Sequence, residues 1–247
     1  ILLGMKGDAK PLPFIEDACI PVEHLSEYVS RILDFCRQHD RPVALYAHAS
    51  AGVIHIRPIL NLKQQEDIDL LRKISAKAFE MVCEYGGSWS GEHGDGLVRS
   101  YKNREFFGEQ LYQAFREVKQ TFDPAGLMNP GKIIDGQDIA ENLRIHPDYR
   151  TRVPKSHFHF RQEQGLGRAI ELCTGVGHCR KTVSGTMCPS YIATRDEEHS
   201  TRGRANALRL AIAGELGPDG LTSRRLYEVL DLCLECKACK SECPSGV

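Results

Sequence analysis

Apolar residues at Leu25, Val29, Ile32, Leu33 and Cys36 recur every three or four positions, which predicts a helix over 25–37 whose start is marked by Pro21. Two short β-branched runs follow, Val43–Tyr46 and Val53–Ile56. The small-residue turn Ala49-Ser50-Ala51-Gly52 between them makes an antiparallel, hairpin-like strand pair. Helical spacing returns over 68–83 and 104–121, and Asp123-Pro124 forbids continuation of the second helix. Helices over one face of an antiparallel sheet make this part α+β. Beyond it no strand pattern occurs. Residues 203–216 and 223–234 read as helices, with Ser200 or Thr201 and Thr222 or Ser223 as N-caps, so the second part is a small all-α domain. Between the two, residues 142–160 (NLRIHPDYRTRVPKSHFHF) show neither period and read as an extended linker. The expected division is 1–140, a linker over 141–165, and 166–247, with the boundary near residue 145.

Composition adds limits. The 247 residues are 41% hydrophobic and 26% charged, ordinary for globular chains, and 32 basic against 33 acidic residues leave a net charge of −1. No global positive field exists to hold nucleic acid or anionic lipid. No apolar run reaches the ~18 residues of a membrane span, and Ile1-Leu2-Leu3-Gly4 is too short for a signal-peptide core, so a cytoplasmic location is expected. The chain opens on Ile and stops just after a dense cysteine cluster, which predicts an internal piece of a longer polypeptide.

Cysteine placement carries the first chemical signal. Cys19, Cys36 and Cys83 lie in apolar-periodic contexts and are expected in the core, while the other seven of ten fall between Cys173 and Cys243. Cys233-x2-Cys236-x2-Cys239-x3-Cys243-Pro244 is the spacing of a ferredoxin-type segment, whose fourth thiolate serves a neighbouring cluster. Zinc sites usually separate two Cys-x2-Cys pairs by a dozen or more residues, and reducing compartments keep disulfides open. A degraded copy, Cys173-x5-Cys179-x8-Cys188-Pro189, has Val176 in the slot of its middle cysteine. Under the exchange rule Cys233, Cys236 and Cys239 take Cys188 as cluster 1, and Cys173 and Cys179 take Cys243 as cluster 2. The second set has only three thiolates. It therefore allows a 3Fe-4S cluster, a 4Fe-4S cluster with His178 or an outside ligand on the fourth iron, or no cluster. Such clusters move single electrons and imply a partner site where an organic substrate is oxidised or reduced.

His48 and His55 flank the small-residue turn, where two neutral imidazoles and a carboxylate, best supplied by Glu92, suit zinc or another divalent metal. Taken alone, such a pair in a chain of ten histidines is more often structural. Gly91-Glu92-His93-Gly94-Asp95-Gly96 sets an acid beside a base in a glycine-rich turn, which serves either as a ligand-approach loop or as a plain Asp-Gly turn.

FIEDACIP (14–21), HASAGVIHIRP (48–58), SGEHGDGLVR (90–99) and FDPAGLMNPGKI (122–133) resemble, in this order, the C-terminal domain of FAD-linked oxidases. These are vanillyl-alcohol-oxidase-type flavoproteins that include D-lactate, glycolate and D-2-hydroxyglutarate dehydrogenases. The cysteine segment resembles the ferredoxin domain of bacterial fusions that append 4Fe-4S domains to such a dehydrogenase. The resemblance implies a divalent metal, usually zinc, on His48, His55 and Glu92, a catalytic base at His93 and a substrate contact at Arg57. It places Asn129 and Lys132 in a stretch that closes over FAD, with Glu92 and His93 also at the cofactor. The glycine-rich FAD-binding half is expected elsewhere in the polypeptide, as is a further C-terminal iron–sulfur domain. Two departures stand out. Ser50-Ala51-Gly52-Val53 occupies the place of a frequent Gly-Asp-Gly-Asn, and Ile15 stands where hydroxyglutarate enzymes carry a substrate-binding lysine, which points away from hydroxyglutarate.

The implied reaction is oxidation of a D-lactate-like 2-hydroxy acid to the 2-oxo acid. The hydroxyl lies on the metal, the carboxylate near Arg57 and the proton passes to His93, while hydride goes to FAD and electrons leave through the clusters to a quinone or carrier protein. Peripheral association with the inner face of a membrane accompanies that role. Two other functions fit the same residues: an electron-transfer module on an inactive flavoprotein-like scaffold, and an oxidase that uses oxygen directly. Arg202 and Arg204 are expected on the solvated surface at a helix start.

Overall fold

A computed structural model describes residues 4–155 and 157–247. Ile1–Leu3, read above against a signal peptide, and Ser156 of the expected linker lie outside the described residues. The chain forms two compact units, one of residues 9–147, the other of residues 4–8 with 148–247.

The first unit holds β1 (Lys10–Pro11), β2 (Ala18–Cys19), α1 (Leu25–Gln38), β3 (Val43–His48), β4 (Val53–Leu60), α2 (Gln65–Glu84), α3 (Gly96–Arg99) and α4 (Asn103–Phe122). β4 is the hub, pairing antiparallel with each of the other three strands. Its β-branched residues explain that role, because alternation turns Ile54, Ile56 and Leu60 into the core and leaves His55 and Arg57 on the opposite face. β3 adds to that second face in register: Ala44 faces Arg57, Tyr46 faces His55 and His48 faces Val53. Gly52 makes the turn between them at φ +73°, with the Ile20 carbonyl oxygen 2.0 Å from where a Cβ would sit. The core side is closed by Tyr28, Ile32 and Cys36 of α1 and by Leu71, Ile74, Ala78, Phe79 and Val82 of α2. Trp89 meets Phe79 edge-on at 5.3 Å.

The expected strands and helices are present, with longer bounds. One helix differs: the predicted unbroken run over 104–121 is interrupted at Gly108, whose φ of 76° and ψ of 163° are not helical. The three early cysteines also divide. Cys36 is fully buried, Cys19 half-buried and Cys83 exposed, since Cys83 lies one 100° step past the buried Val82 stripe of α2.

The second unit contains α5 (Leu166–Glu171), α6 (Pro189–Thr194), α7 (Thr201–Ala213), α8 (Arg224–Asp231) and α9 (Ala238–Glu242), with no strand among its described residues. Of the alternative caps the serines act: Ser200 Oγ accepts from Gly203 N–H and Ser223 Oγ from Leu226 N–H. Both helices end earlier than predicted. α7 stops at the left-handed Gly214, and α8 gives way to the irregular backbone of the cysteine run. Residues 4–8, expected with the first domain, belong to this unit, tied by ion pairs of Asp8 with Arg168 at 2.7 Å and Lys6 with Glu163 at 3.4 Å. Part of the expected linker is packed as well: Tyr149 is buried and Arg152 N–H donates to the Ile212 carbonyl at 2.6 Å.

Candidate functional site

In the first unit, the face of β3 and β4 away from the core gathers His48, His55, Arg57 and Tyr46, and the 90–93 loop brings Glu92 and His93 to them. Three imidazoles surround one carboxylate oxygen. Glu92 Oε1 lies 3.6 Å from His48 Nε2, 3.3 Å from His55 Nε2 and 3.1 Å from His93 Nε2. His55 is 2% exposed, and its Nδ1 sits 2.6 Å from the Glu16 carbonyl oxygen. That oxygen only accepts, so Nδ1 carries the hydrogen and the Nε2 lone pair points at Glu92. Two acceptors 3.3 Å apart require a proton or cation between them. The donor atoms of His48, His55 and Glu92 all lie within 4.8 Å of one another, a nitrogen–nitrogen–oxygen set that suits a divalent metal.

Two acidic residues absent from the sequence-level site hold this arrangement. Glu16 Oε2 accepts from Arg57 Nε at 3.0 Å and Nη2 at 2.6 Å, while its Oε1 lies 3.3 Å from His93 Nδ1. Arg57 therefore arrives paired; Tyr46 Oη takes a further hydrogen bond from Nη2 at 2.7 Å, and Nη1 makes none among the described residues. Asp17 is fully buried and fixes the loop, accepting from the N–H groups of Glu92 and His93 at 3.0 Å each and from Ser90 Oγ. Burial alone would raise its pKa, but the Ser90 hydroxyl, the two amides and Arg99 outweigh it and hold the carboxyl below its ordinary value. The only sequence signal for these residues was an acidic pair inside the apolar tract FIEDACIP. Ile15 beside them is 1% exposed, in the core.

Asn129 and Lys132 occupy a different cleft of the same unit, lined also by Arg116, Lys119 and Asp123, which shares no residue with the histidine cluster. Lys119 bonds Asp123 at 2.5 Å, and the Leu127 and Met128 amides donate to the same carboxylate. Together they hold its pKa down to about 2.

In the second unit Cys179 and Cys188 pack with Met187, Tyr191 and Ala238, and Cys239 and Cys243 pack against them. Burial raises the Cys239 thiol, and the sulfurs of Cys233, Cys236 and Cys188 act on it in the same sense. Cys173, Cys179 and Cys243 line one cavity with His178, Ser245 and Arg202. His178 Nε2 lies 3.2 Å from Lys181 Nζ. None of the seven cysteines of this unit is in a disulfide, as thiolate ligation of iron requires. The arginines expected on the surface are engaged here: the Arg202 backbone N–H donates to Cys179 Sγ at 3.3 Å, and the 7%-exposed Arg204 approaches Cys188 Sγ with Nη1 at 3.5 Å. Ser200 capping starts α7 in a position that turns both inward.

Comparison with known proteins agrees with this division. Residues 2–133 match the family "FAD linked oxidases, C-terminal domain", and residues 168–247 match a 4Fe-4S dicluster domain. A D-2-hydroxyglutarate dehydrogenase of Haemophilus influenzae is 33% identical over 98% of the chain, and one of Escherichia coli K12 is 32% identical over 98%. Ile15 notwithstanding, these relatives carry hydroxyglutarate names. A D-lactate dehydrogenase of Archaeoglobus fulgidus is 30% identical over 52% of the chain. The chain spans 27% of the length of each hydroxyglutarate enzyme and 28% of the lactate enzyme.

Proposed function

Because the chain belongs to the FAD-linked oxidases through their C-terminal domain and continues into a 4Fe-4S dicluster domain, we propose that it forms the substrate-binding and electron-exit parts of a flavin-dependent D-2-hydroxy acid dehydrogenase. The observation that carries this reading is the convergence of three imidazoles on Glu92 beside an arginine with a free N–H edge. A divalent cation on His48, His55 and Glu92 would supply Lewis-acid polarisation of the substrate hydroxyl, and FAD would supply the hydride acceptor. His93 removes the hydroxyl proton on Nε2 once Glu92, 3.1 Å away, turns to the cation, while Glu16 holds the Nδ1 side of the ring. Arg57 orients the substrate carboxylate through Nη1, since Nε and Nη2 are occupied by Glu16 and Tyr46. Asn129 and Lys132 contact the flavin from their own cleft. The cysteine-rich unit passes electrons singly to a quinone or carrier protein, with the whole enzyme peripheral at the inner membrane face; no helix among the described residues is long and apolar enough to cross it.

Hydroxyglutarate is favoured as substrate by relatives matched across both units, whereas a monocarboxylate such as D-lactate is favoured by the single free cationic edge at Arg57 and by the buried Ile15. The test is stopped-flow flavin reduction in the complete polypeptide with D-2-hydroxyglutarate and D-lactate. His93→Ala should slow reduction by the preferred acid by about 10²–10⁴-fold. Unchanged reduction would remove His93 as base, and no reduction of the wild-type enzyme by either acid would overturn the activity.

A further inference from the structure

Two arginines two residues apart on the first turn of α7 each meet a different set of thiols, and their surroundings differ. Arg204 is buried. Its Nε donates to the Val229 carbonyl at 3.2 Å, Nη1 approaches Cys188 Sγ at 3.5 Å, and Nη2 has no partner. Among the described residues no carboxylate lies within ion-pair distance of it. A buried, uncompensated guanidinium with an idle N–H is costly unless an anionic group shares its site. Arg202 differs on each point. Glu197 clamps its Nε at 2.6 Å and Nη2 at 2.9 Å, and Nη1 goes to the Gly175 carbonyl, so little of its charge is left for Cys173 and Cys179. Arg180 reaches the same carboxylate at 3.1 Å from the solvent side, where water screens it.

Reduction adds one negative charge to a thiolate-bound iron–sulfur cluster. A nearby cation and N–H donors to sulfur stabilise the reduced form and raise its potential, more strongly where water is excluded. Resting on the ligand sets read above, we infer that Arg204 sets the cluster of Cys188, Cys233, Cys236 and Cys239 at the higher potential, so that it accepts electrons from the cluster of Cys173, Cys179 and Cys243. One electron leaves the second cluster, which is oxidised, and arrives at the first, which is reduced. No bond or proton need move. Arg204 is a positioning residue for charge, acting through the Cys188 sulfur.

The experiment is a redox titration of the complete, anaerobically loaded protein, followed by electron paramagnetic resonance. Arg204→Gln should lower the reduced-to-oxidised ratio of the first cluster at fixed poise about tenfold, about 59 mV for a one-electron couple. Arg204→Lys, which keeps the charge, should restore most of it. An intact cluster with an unchanged ratio in Arg204→Gln overturns the inference, as does an equal fall in both variants. Should Arg204→Gln not hold iron, Glu197→Gln decides: unclamping Arg202 must raise the reduced fraction of the second cluster, and no rise overturns the inference. Wild-type protein that binds no iron overturns the ligand reading itself.

Discussion

The histidine site and the thiol site are built in opposite ways. In the 9–147 unit, prospective ligand atoms hang from a sheet whose core is complete without them: β4 buries Ile54, Ile56 and Leu60 on one face and presents His55 and Arg57 on the other. Hydrogen bonds to the Asp17 carboxylate and to the Glu16 carbonyl then fix the loop and the tautomer. In the 148–247 unit the cluster of buried apolar residues around the thiols is Cys179, Met187, Cys188, Tyr191 and Ala238, so two prospective ligands are part of the packing, while Cys233 and Cys236 are exposed. One site is positioned by its fold. The other fold depends on what its site holds, because binding free energy at such a centre is folding free energy.

The largest effect separates the units outright. Anaerobic removal of iron should expose residues 166–247 to limited proteolysis while residues 9–147 keep their protection, with fragments read by mass spectrometry. Equal protection in both regions would break the contrast. A smaller effect falls on the histidine site alone. Asp17→Ala strands the Glu92 and His93 amides and leaves buried Arg99 without its carboxylate, which should cost about 3 kcal/mol in denaturant unfolding of the 9–147 unit. Divalent-metal affinity should fall about 10–100-fold, as with other supports of ligand side chains. The smallest concerns the cleft of Asn129 and Lys132. Asp123 has a pKa lowered from 3.8 to about 2, so its contribution is whole above pH 3.8 and lost as pH falls toward 2. Asp123→Asn should therefore melt below wild type at pH 7, and the two melting curves should converge near pH 2.

The contrast also governs what was legible in the residues. Regular elements announce themselves by period, so the strand pair, its turn and the long helices were visible, as were candidate ligands at fixed spacing such as His48, His55 and the cysteine run. Supporting residues have no such spacing. Glu16 and Asp17 act across 39 to 76 positions on His55, Arg57, Glu92 and His93. Arg204 looked like solvated helix-start charge because nothing local reveals that α7, capped by Ser200, brings the Arg204 guanidinium to Cys188 and the Arg202 backbone N–H to Cys179. The break at Gly108 is signalled by the residue and not by the helical period, since glycine readily adopts that positive φ.

The most direct measurement is divalent metal, iron and acid-labile sulfide per chain in the anaerobically purified complete protein and in its His55→Ala variant. The account predicts about one divalent metal ion in the wild type, lost from His55→Ala, with iron and sulfide the same in both. Wild-type protein that holds iron but no divalent metal, or a variant that loses both together, would contradict it.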